Sequence, residues 1–287
     1  MFPRVALLGV GYIGGSAVLA ARQAGLVGRV VGYDVSAAAG AAGQQKGVLD
    51  ATASTLAEAV RDATMVLLAA PVRSLENILH ALAKLLPAET TVVDVGSVKS
   101  NVVAAAEASL PSGQFVGCHP MAGAEFCGVE ASEAGIFAGR VCFLCPPRNV
   151  ATAALDAARA FWGGIGCRLI SIDPQTHDRL MAAQSHLPHV AAYALAGALA
   201  PSLVFLDGTT NEASPTTSLR DTTRIAASNP AVWRDIFIAN AEHLLPLIEE
   251  LEISVHAIKA AVAKGDAAGL ETLLAKGQSA RKRLVNG

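Results

Sequence analysis

Three groups of residues in this chain have the types and spacing to do chemistry. The first is Gly9-Val10-Gly11-Tyr12-Ile13-Gly14, a G-x-G-x-x-G run whose glycines remove the side chains that keep a backbone away from a ligand. Backbone N–H groups at such a turn suit a pyrophosphate. The second is Asp34, about 20 residues beyond Gly14, where a carboxylate accepts a hydrogen bond from a ribose 2′-hydroxyl. The plain alternative is that Asp34 caps the next helix. The third is His119, followed by Pro120-Met121-Ala122-Gly123. A neutral imidazole with an ordinary pKa of about 6.5 is matched to accept a hydroxyl proton near neutral pH. A turn built on Pro and Gly holds such a ring in place. Its plain alternative is a structural histidine after a strand.

Short apolar runs bounded by turn residues must position these groups. Residues 5–10 predict a strand, 13–24 a helix and 29–33 a second strand, so the glycine run occupies the strand-to-helix turn its chemistry requires. Residues 65–70, 91–95, 115–118, 140–144 and 168–172 repeat the strand signal, with helices predicted over 75–86 and 151–163. This alternation predicts an α/β, doubly wound Rossmann-type sheet as an N-terminal domain over residues 1–172. From residue 173 the pattern is helical throughout, including 180–199 and 231–262, which predicts an all-helical C-terminal domain over 173–287. Pro201-Ser202 and residues 207–215 read as loops within it.

Ligands of open α/β sheets bind outside the carboxyl ends of the strands. There, Gly9 permits the tight turn, Gly11 clears the way for the pyrophosphate and Gly14 lets the helix approach the strand, with Tyr12 and Ile13 at the helix start. Ala70 and Pro71, small residues after a strand, are expected under a nicotinamide ribose. Ser97, within Asp94-Val95-Gly96-Ser97-Val98-Lys99, and His119 follow the next two strands and are expected to face one crevice. Ser97 would orient the imidazole or bond the substrate oxygen. Lys99 reads either as part of the site or as a surface lysine. Asp34 repels a 2′-phosphate and Val35-Ser36-Ala37-Ala38-Ala39 offers no cation to bind one, so NAD is expected over NADP.

Composition narrows the remaining classes. A net charge of −2, with no basic run longer than Arg281-Lys282-Arg283, gives no electrostatic footprint for nucleic acid. Charges interrupt the alanine-rich helices before they reach membrane-spanning length. Met1-Phe2-Pro3-Arg4 leads directly into a strand, which fits neither a signal nor a transit peptide, and a cytoplasmic protein is expected. The cysteines number five, against a disulfide framework, and the Cys142/Cys145 spacing falls in a predicted buried strand, which favours core packing over redox chemistry.

The glycine run, Asp94 to Lys99, His119 to Gly123, Ser185-His186-Leu187-Pro188-His189 and Arg220-Asp221-Thr222-Thr223-Arg224-Ile225-Ala226 occur in this order. Together they resemble the prephenate/arogenate dehydrogenase family of tyrosine biosynthesis. The resemblance implies an NAD-dependent oxidative decarboxylation of a cyclohexadienyl ring bearing a 4-hydroxyl and a ring carboxylate. Prephenate would give 4-hydroxyphenylpyruvate, and arogenate would give tyrosine. It implies that His119 accepts the hydroxyl proton as hydride leaves C4, that Ser97 is its partner, and that Arg224 binds a substrate carboxylate through its planar fork. His186 and His189, sharing a helix face beside Pro188, are implied to shape the substrate pocket from the helical half. Arg220 stands one helical turn before Arg224, and a surface ion pair with Asp221 is the alternative for both. Asp221 is otherwise implied to position the arginines, and Trp233 reads as core of the helical half. No metal site is expected, because the His186/His189 pair lacks a third ligand in suitable context.

Ala124-Glu125-Phe126-Cys127 departs from the family, in which a Ser or Thr and a basic group are common after the motif. Glu125 is a candidate to select the ammonium of arogenate over the keto group of prephenate, and a 4-amino analogue fits the same hydride chemistry. A β-hydroxyacid dehydrogenase-like oxidoreductase would carry a catalytic Lys on the first helix of the helical half, where this chain has Asp178-Arg179-Leu180. A non-enzymatic NAD-sensing regulator would keep the glycine run and Asp34 but would not need His119, Ser97 or Arg224. A homodimer through the helical half is expected, since so much Ala, Leu and Ile is hard to bury in one small bundle. No regulatory extension is expected.

Overall fold

Strands β1 (Phe2–Leu8), β2 (Val27–Tyr33), β3 (Ala51–Thr52), β4 (Met65–Leu68), β5 (Thr91–Asp94), β6 (Phe115–Pro120), β7 (Val141–Cys145) and β8 (Arg168–Ser171) form one sheet in the order β3-β2-β1-β4-β5-β6-β7-β8. Neighbours are parallel except β6 and β7. The computed structural model describes residues 1–87, 89–110, 112–122, 126–203 and 216–286. The expectations for Gly123, Ala124 and Glu125 and for the 207–215 loop lie outside them. Helices α1 (Tyr12–Gln23), α2 (Ala37–Gln45), α3 (Leu56–Val60), α4 (Val72–Leu82), α5 (Ser100–Ser109) and α6 (Thr152–Gly164) connect the strands. The predicted strands and helices are present with their ends moved by a few residues, except that the run over 231–262 is two helices, Pro230–Ala239 and Ala241–Lys264, and that Pro201-Ser202, expected in a loop, lies in the last turn of the helix Leu187–Leu203. Two-residue β3, five-residue α3 and α5, all without a strong periodic signal, were not predicted.

The central strands are continuous apolar runs because both faces are covered. Leu7 pairs in register with Leu67, and Leu67 with Val93, and all three are fully buried. Each such side chain contributes about 1.5–3 kcal/mol by leaving water. The chain reverses its winding between β1 and β4, so the segments after β1, β4, β5 and β6 meet at one edge of the sheet. Cys142 and Cys145 are buried in β7 and all five cysteines are free thiols. Burial pushes the Cys145 thiol up to about 12, which suits packing and not redox chemistry.

After the sheet come α7 (Pro174–Met181), a π-helical turn (Ala182–His186), α8 (Leu187–Leu203), α9 (Thr217–Thr223), a 3₁₀ turn (Arg224–Ala227) and α10 (Pro230–Ala239). Asp173 caps α7 by accepting from the Thr176 N–H at 2.9 Å, and Pro174 fills the first helical position. These elements belong with the sheet to one compact unit, Met1–Ala241. The second unit, Glu242–Gly287, holds α11 (Ala241–Lys264) and α12 (Ala267–Asn286). Gly265, at φ +63°, and Asp266, which accepts from the Gly269 N–H, turn the chain between them. Ile253, Val255, Val262 and Leu274 of this unit are exposed. No described helix is long and apolar enough to cross a membrane.

Candidate active site

A cavity of about 1180 Å³ opens at the carboxyl edge of the sheet, and Gly9, Asp34, Ala70, Ser97 and His119 all line it. Gly9 sits at φ +94°, and a Cβ there would come within 2.6 Å of the Ala69 backbone, so this position admits only glycine. A Cβ on Gly14 would come within 2.7 Å of Ala69 and 2.8 Å of Leu7 side-chain atoms, which is the close helix–strand packing expected of it. At Gly11 a Cβ would meet nothing within 4 Å and would instead project into open cavity. Gly11 is also the N-cap of α1, and no side chain caps that end. The first N–H groups and the positive dipole end of α1 are thus left for a phosphate, and the cradle fits a dinucleotide. Gly11→Val is therefore expected to weaken dinucleotide affinity by roughly tenfold or more. Its apo stability should fall by no more than about 1 kcal/mol, because the position is an open N-cap. Dinucleotide titration beside urea unfolding checks both.

Asp34 does not cap a helix. Its carboxylate accepts from the Val10 N–H and the Ser36 N–H, each at 2.8 Å, while Ser36 caps α2. One acidic residue therefore braces the glycine turn and stands at the rim where a ribose would lie. Tyr12, Ile13 and Pro71 also line the cavity.

His119, at the end of β6, has an imidazole partner that the sequence did not reveal. Its Nδ1 lies 2.8 Å from Nε2 of His177, and the His177 Nδ1 lies 2.8 Å from Oδ1 of Asp178. His177 and Asp178 are buried on α7, and Asp178 also accepts from the backbone N–H groups of Lys99 at 2.8 Å and Ser100 at 2.7 Å. Asp178 thereby serves the uncapped N-terminus of α5. Burial raises its carboxyl, but the bonds from His177, Ser100 and Lys99 outweigh this and hold it below the usual carboxylate range. Burial pushes the His119 ring well below the ordinary imidazole value, and the neighbouring His177, Lys99 and His186 add to the effect. His177 is lowered too, by burial against the opposing bond to Asp178. Both rings are neutral at pH 7. Ser97 lines the same cavity as His119, but the Nδ1 partner of the ring is His177.

Lys99 is fully buried, which excludes the surface reading. Its ammonium contacts the Asp94 carboxylate and donates to the Cys118 carbonyl at 3.0 Å. Asp94 in turn accepts from the Cys118 N–H at 2.8 Å and the Gly96 N–H at 2.9 Å. The reason is local: a carboxylate at the buried end of β5 requires a counter-charge, and Lys99 is close enough in sequence to turn back and supply it. This clip ties the end of β5, which leads to Ser97, to the strand that presents His119.

The helical elements supply the opposite wall. His189 lines the cavity, stacks on Trp233 with ring centroids 3.4 Å apart, and has its Nδ1 2.9 Å from the Ser185 carbonyl. Trp233 is half-buried and lines the cavity, so it is a wall residue and not core of the helical half. Asn229 caps α10 by accepting from the Ala231 N–H, which sets the first turns of that helix, with Trp233, at the rim. Arg224 lines the cavity at the start of its 3₁₀ turn. Burial lowers the His189 ring against its Ser185 bond, and the Arg224 charge adds to the lowering. His186 is buried away from the cavity lining, 3.0 Å from the Asn240 amide, and burial pushes it down to about 4. Arg220 is exposed on α9 and is not among the lining residues. The two histidines sit at and just after the π turn, which ends two residues before Pro188. Among the described residues no group of three or more His, Cys, Asp or Glu could hold a metal ion.

Residues 17–171 match the model of the prephenate dehydrogenase nucleotide-binding domain, and residues 173–276 match that of the prephenate dehydrogenase dimerization domain. The chain belongs to the prephenate dehydrogenase family. It is 32% identical over 292 residues to cyclohexadienyl dehydrogenase of Zymomonas mobilis, covering 99% of this chain and 97% of that protein. To prephenate dehydrogenase of Bacillus subtilis it is 33% identical over 274 residues, covering 93% of this chain and 72% of that protein. The solved structure of prephenate dehydrogenase from A. aeolicus, in complex with hydroxyphenyl propionate and NAD+, is similar with a TM-score of 0.86 at 31% identity, covering 99% of each chain. The family match begins inside α1, so the glycine turn of this chain rests on its own geometry.

Proposed function

We propose that this chain oxidatively decarboxylates a cyclohexadienyl acid, prephenate or arogenate, in the cavity around His119. As a member of its family it is an oxidoreductase, and NAD is its cofactor. The observation that carries the reading is that one cavity unites a dinucleotide cradle at Gly9, Gly11 and Asp34 with a neutral base, His119, and a cation, Arg224. Bound NAD supplies the acceptor for the hydride that leaves ring C4. His119 takes the proton of the 4-hydroxyl as the hydride leaves, Ser97 bonds the same oxygen, and loss of CO2 sends the electrons of the broken bond through the ring to that oxygen, which takes the proton back from His119 to give the aromatic phenol. Arg224 pairs with a substrate carboxylate, and the His189/Trp233 stack bounds the ring. His186 and Arg220 act from outside the cavity lining, one packing beneath the wall and the other at the surface.

Arg224→Ala is expected to raise KM by roughly 10-fold to 100-fold while lowering kcat much less, since it removes binding shared by ground and transition states. Steady-state kinetics with saturating NAD checks this. The reading itself is tested by following NADH with prephenate and with arogenate side by side. Turnover of either supports it and ranks the substrates; no turnover with both would sink it.

The functional division we propose falls after residue 172, in line with the extents of the two matched family models. The apolar residues exposed on α11 and α12 and the dimerization-domain match support a homodimer. Sedimentation as a monomer at micromolar concentration would count against that. A biosynthetic NAD-dependent reaction supports a cytoplasmic location, which cell fractionation checks.

A further inference from the structure

We infer that His177 and Asp178 are positioning residues that hold His119 in the tautomer with Nδ1 protonated, leaving Nε2 as its proton acceptor. The inference rests on the proposed role of His119 and deepens it. Asp178 already accepts two backbone N–H bonds from the start of α5, and an ionised carboxylate in that setting can only accept. The nitrogen of His177 that faces it, Nδ1, must therefore carry the proton. In a neutral imidazole the other nitrogen is then a lone pair. That nitrogen, Nε2 of His177, is the one 2.8 Å from Nδ1 of His119, so Nδ1 of His119 must be the donor. The tautomer of His119 follows without further choice, and its Nε2 is left without a proton.

The arrangement also serves the charged state. When His119 takes the substrate proton at Nε2, its Nδ1–H still points at the His177 lone pair, and the Asp178 charge lies one ring beyond. The imidazolium is stabilised along this line, as a carboxylate stabilises the histidine of a hydrolytic triad. His177 is fully buried and lies edge-on to both His119 and Phe143, with ring centroids 5.1 and 5.4 Å away, so it has no room to reverse its orientation cheaply.

The test is a 15N spectrum of the full chain labelled at histidine, with NAD bound, His119 being assigned by the signals that vanish in His119→Asn. The wild-type protein should show a protonated Nδ1 and an unprotonated Nε2 on His119. Asp178→Asn can turn its amide N–H toward His177, which reverses the tautomer of both rings while leaving them in place. That variant should show the proton on Nε2 of His119 and a kcat lower by roughly 10²- to 10⁴-fold, with NAD affinity unchanged. His177→Phe, which keeps a ring but removes the acceptor, covers the case in which Asp178→Asn fails to fold. It should lose the fixed tautomer and most of kcat. A wild-type His119 with its proton on Nε2, or His177→Phe with wild-type kcat, would overturn the inference. The tautomers as expected but no turnover of prephenate or arogenate would leave the positioning intact and remove only the substrate reading.

Discussion

Replacing His119 by Asn is expected to lower kcat by roughly 10²- to 10⁴-fold, the usual contribution of a positioned general base, while leaving NAD affinity within about twofold. The amide keeps a hydrogen-bonding group of similar reach toward His177 but cannot hold a proton. The pH profile gives the more specific signature. Because burial holds the ring below the ordinary value of 6.5, it stays neutral at and above that pH. As pH falls through the depressed value, His119 takes a proton and loses its function as acceptor. The wild-type kcat/KM should therefore be flat from about pH 6.5 upward and fall only on the acid side, and the acid limb should disappear in His119→Asn. A variant with near wild-type kcat, or one that keeps the acid limb, would move the base elsewhere in the cavity.

Lys99→Met is expected to destabilise the protein by about 3–5 kcal/mol, the range for removing one partner of a buried ion pair. The loss comes less from the pair than from what remains. Asp94 keeps its bonds from the Cys118 and Gly96 N–H groups but stays fully buried with an unbalanced charge. Urea unfolding should show a lower midpoint at an unchanged slope. The same substitution removes a cation that lowers the His119 ring, so the acid limb of kcat/KM should move to higher pH. Unchanged stability would mean that Lys99 does not neutralise Asp94, and the clip between β5 and β6 would have to be abandoned.

What the sequence revealed were features that are local along the chain. Gly9, Gly11 and Gly14 carry their meaning in their spacing, and Asp34, Ser97 and His119 could be placed by the rule that ligands sit at carboxyl ends of strands. What it concealed depends on contacts between distant residues. His177 meets His119 across 58 residues, and Asp178 caps α5 across 78. No periodicity signals such contacts, although an adjacent His-Asp pair one turn into a capped helix is a visible hint. Lys99 was ambiguous because lysines are seldom buried, and only Asp94, five residues earlier, marks the exception. Trp233 looked like core because large apolar side chains usually are, whereas here a helix start turns it toward the cavity.

The central claim is that hydride transfer and decarboxylation occur together in this one cavity. It is tested most directly by measuring NADH, CO2 and aromatic product in a single reaction of the purified protein with NAD and either cyclohexadienyl acid. Equal amounts of all three are predicted, with their rates of formation falling together in His119→Asn. NADH formed without CO2 and a phenol, or no NADH with either substrate, would contradict the claim.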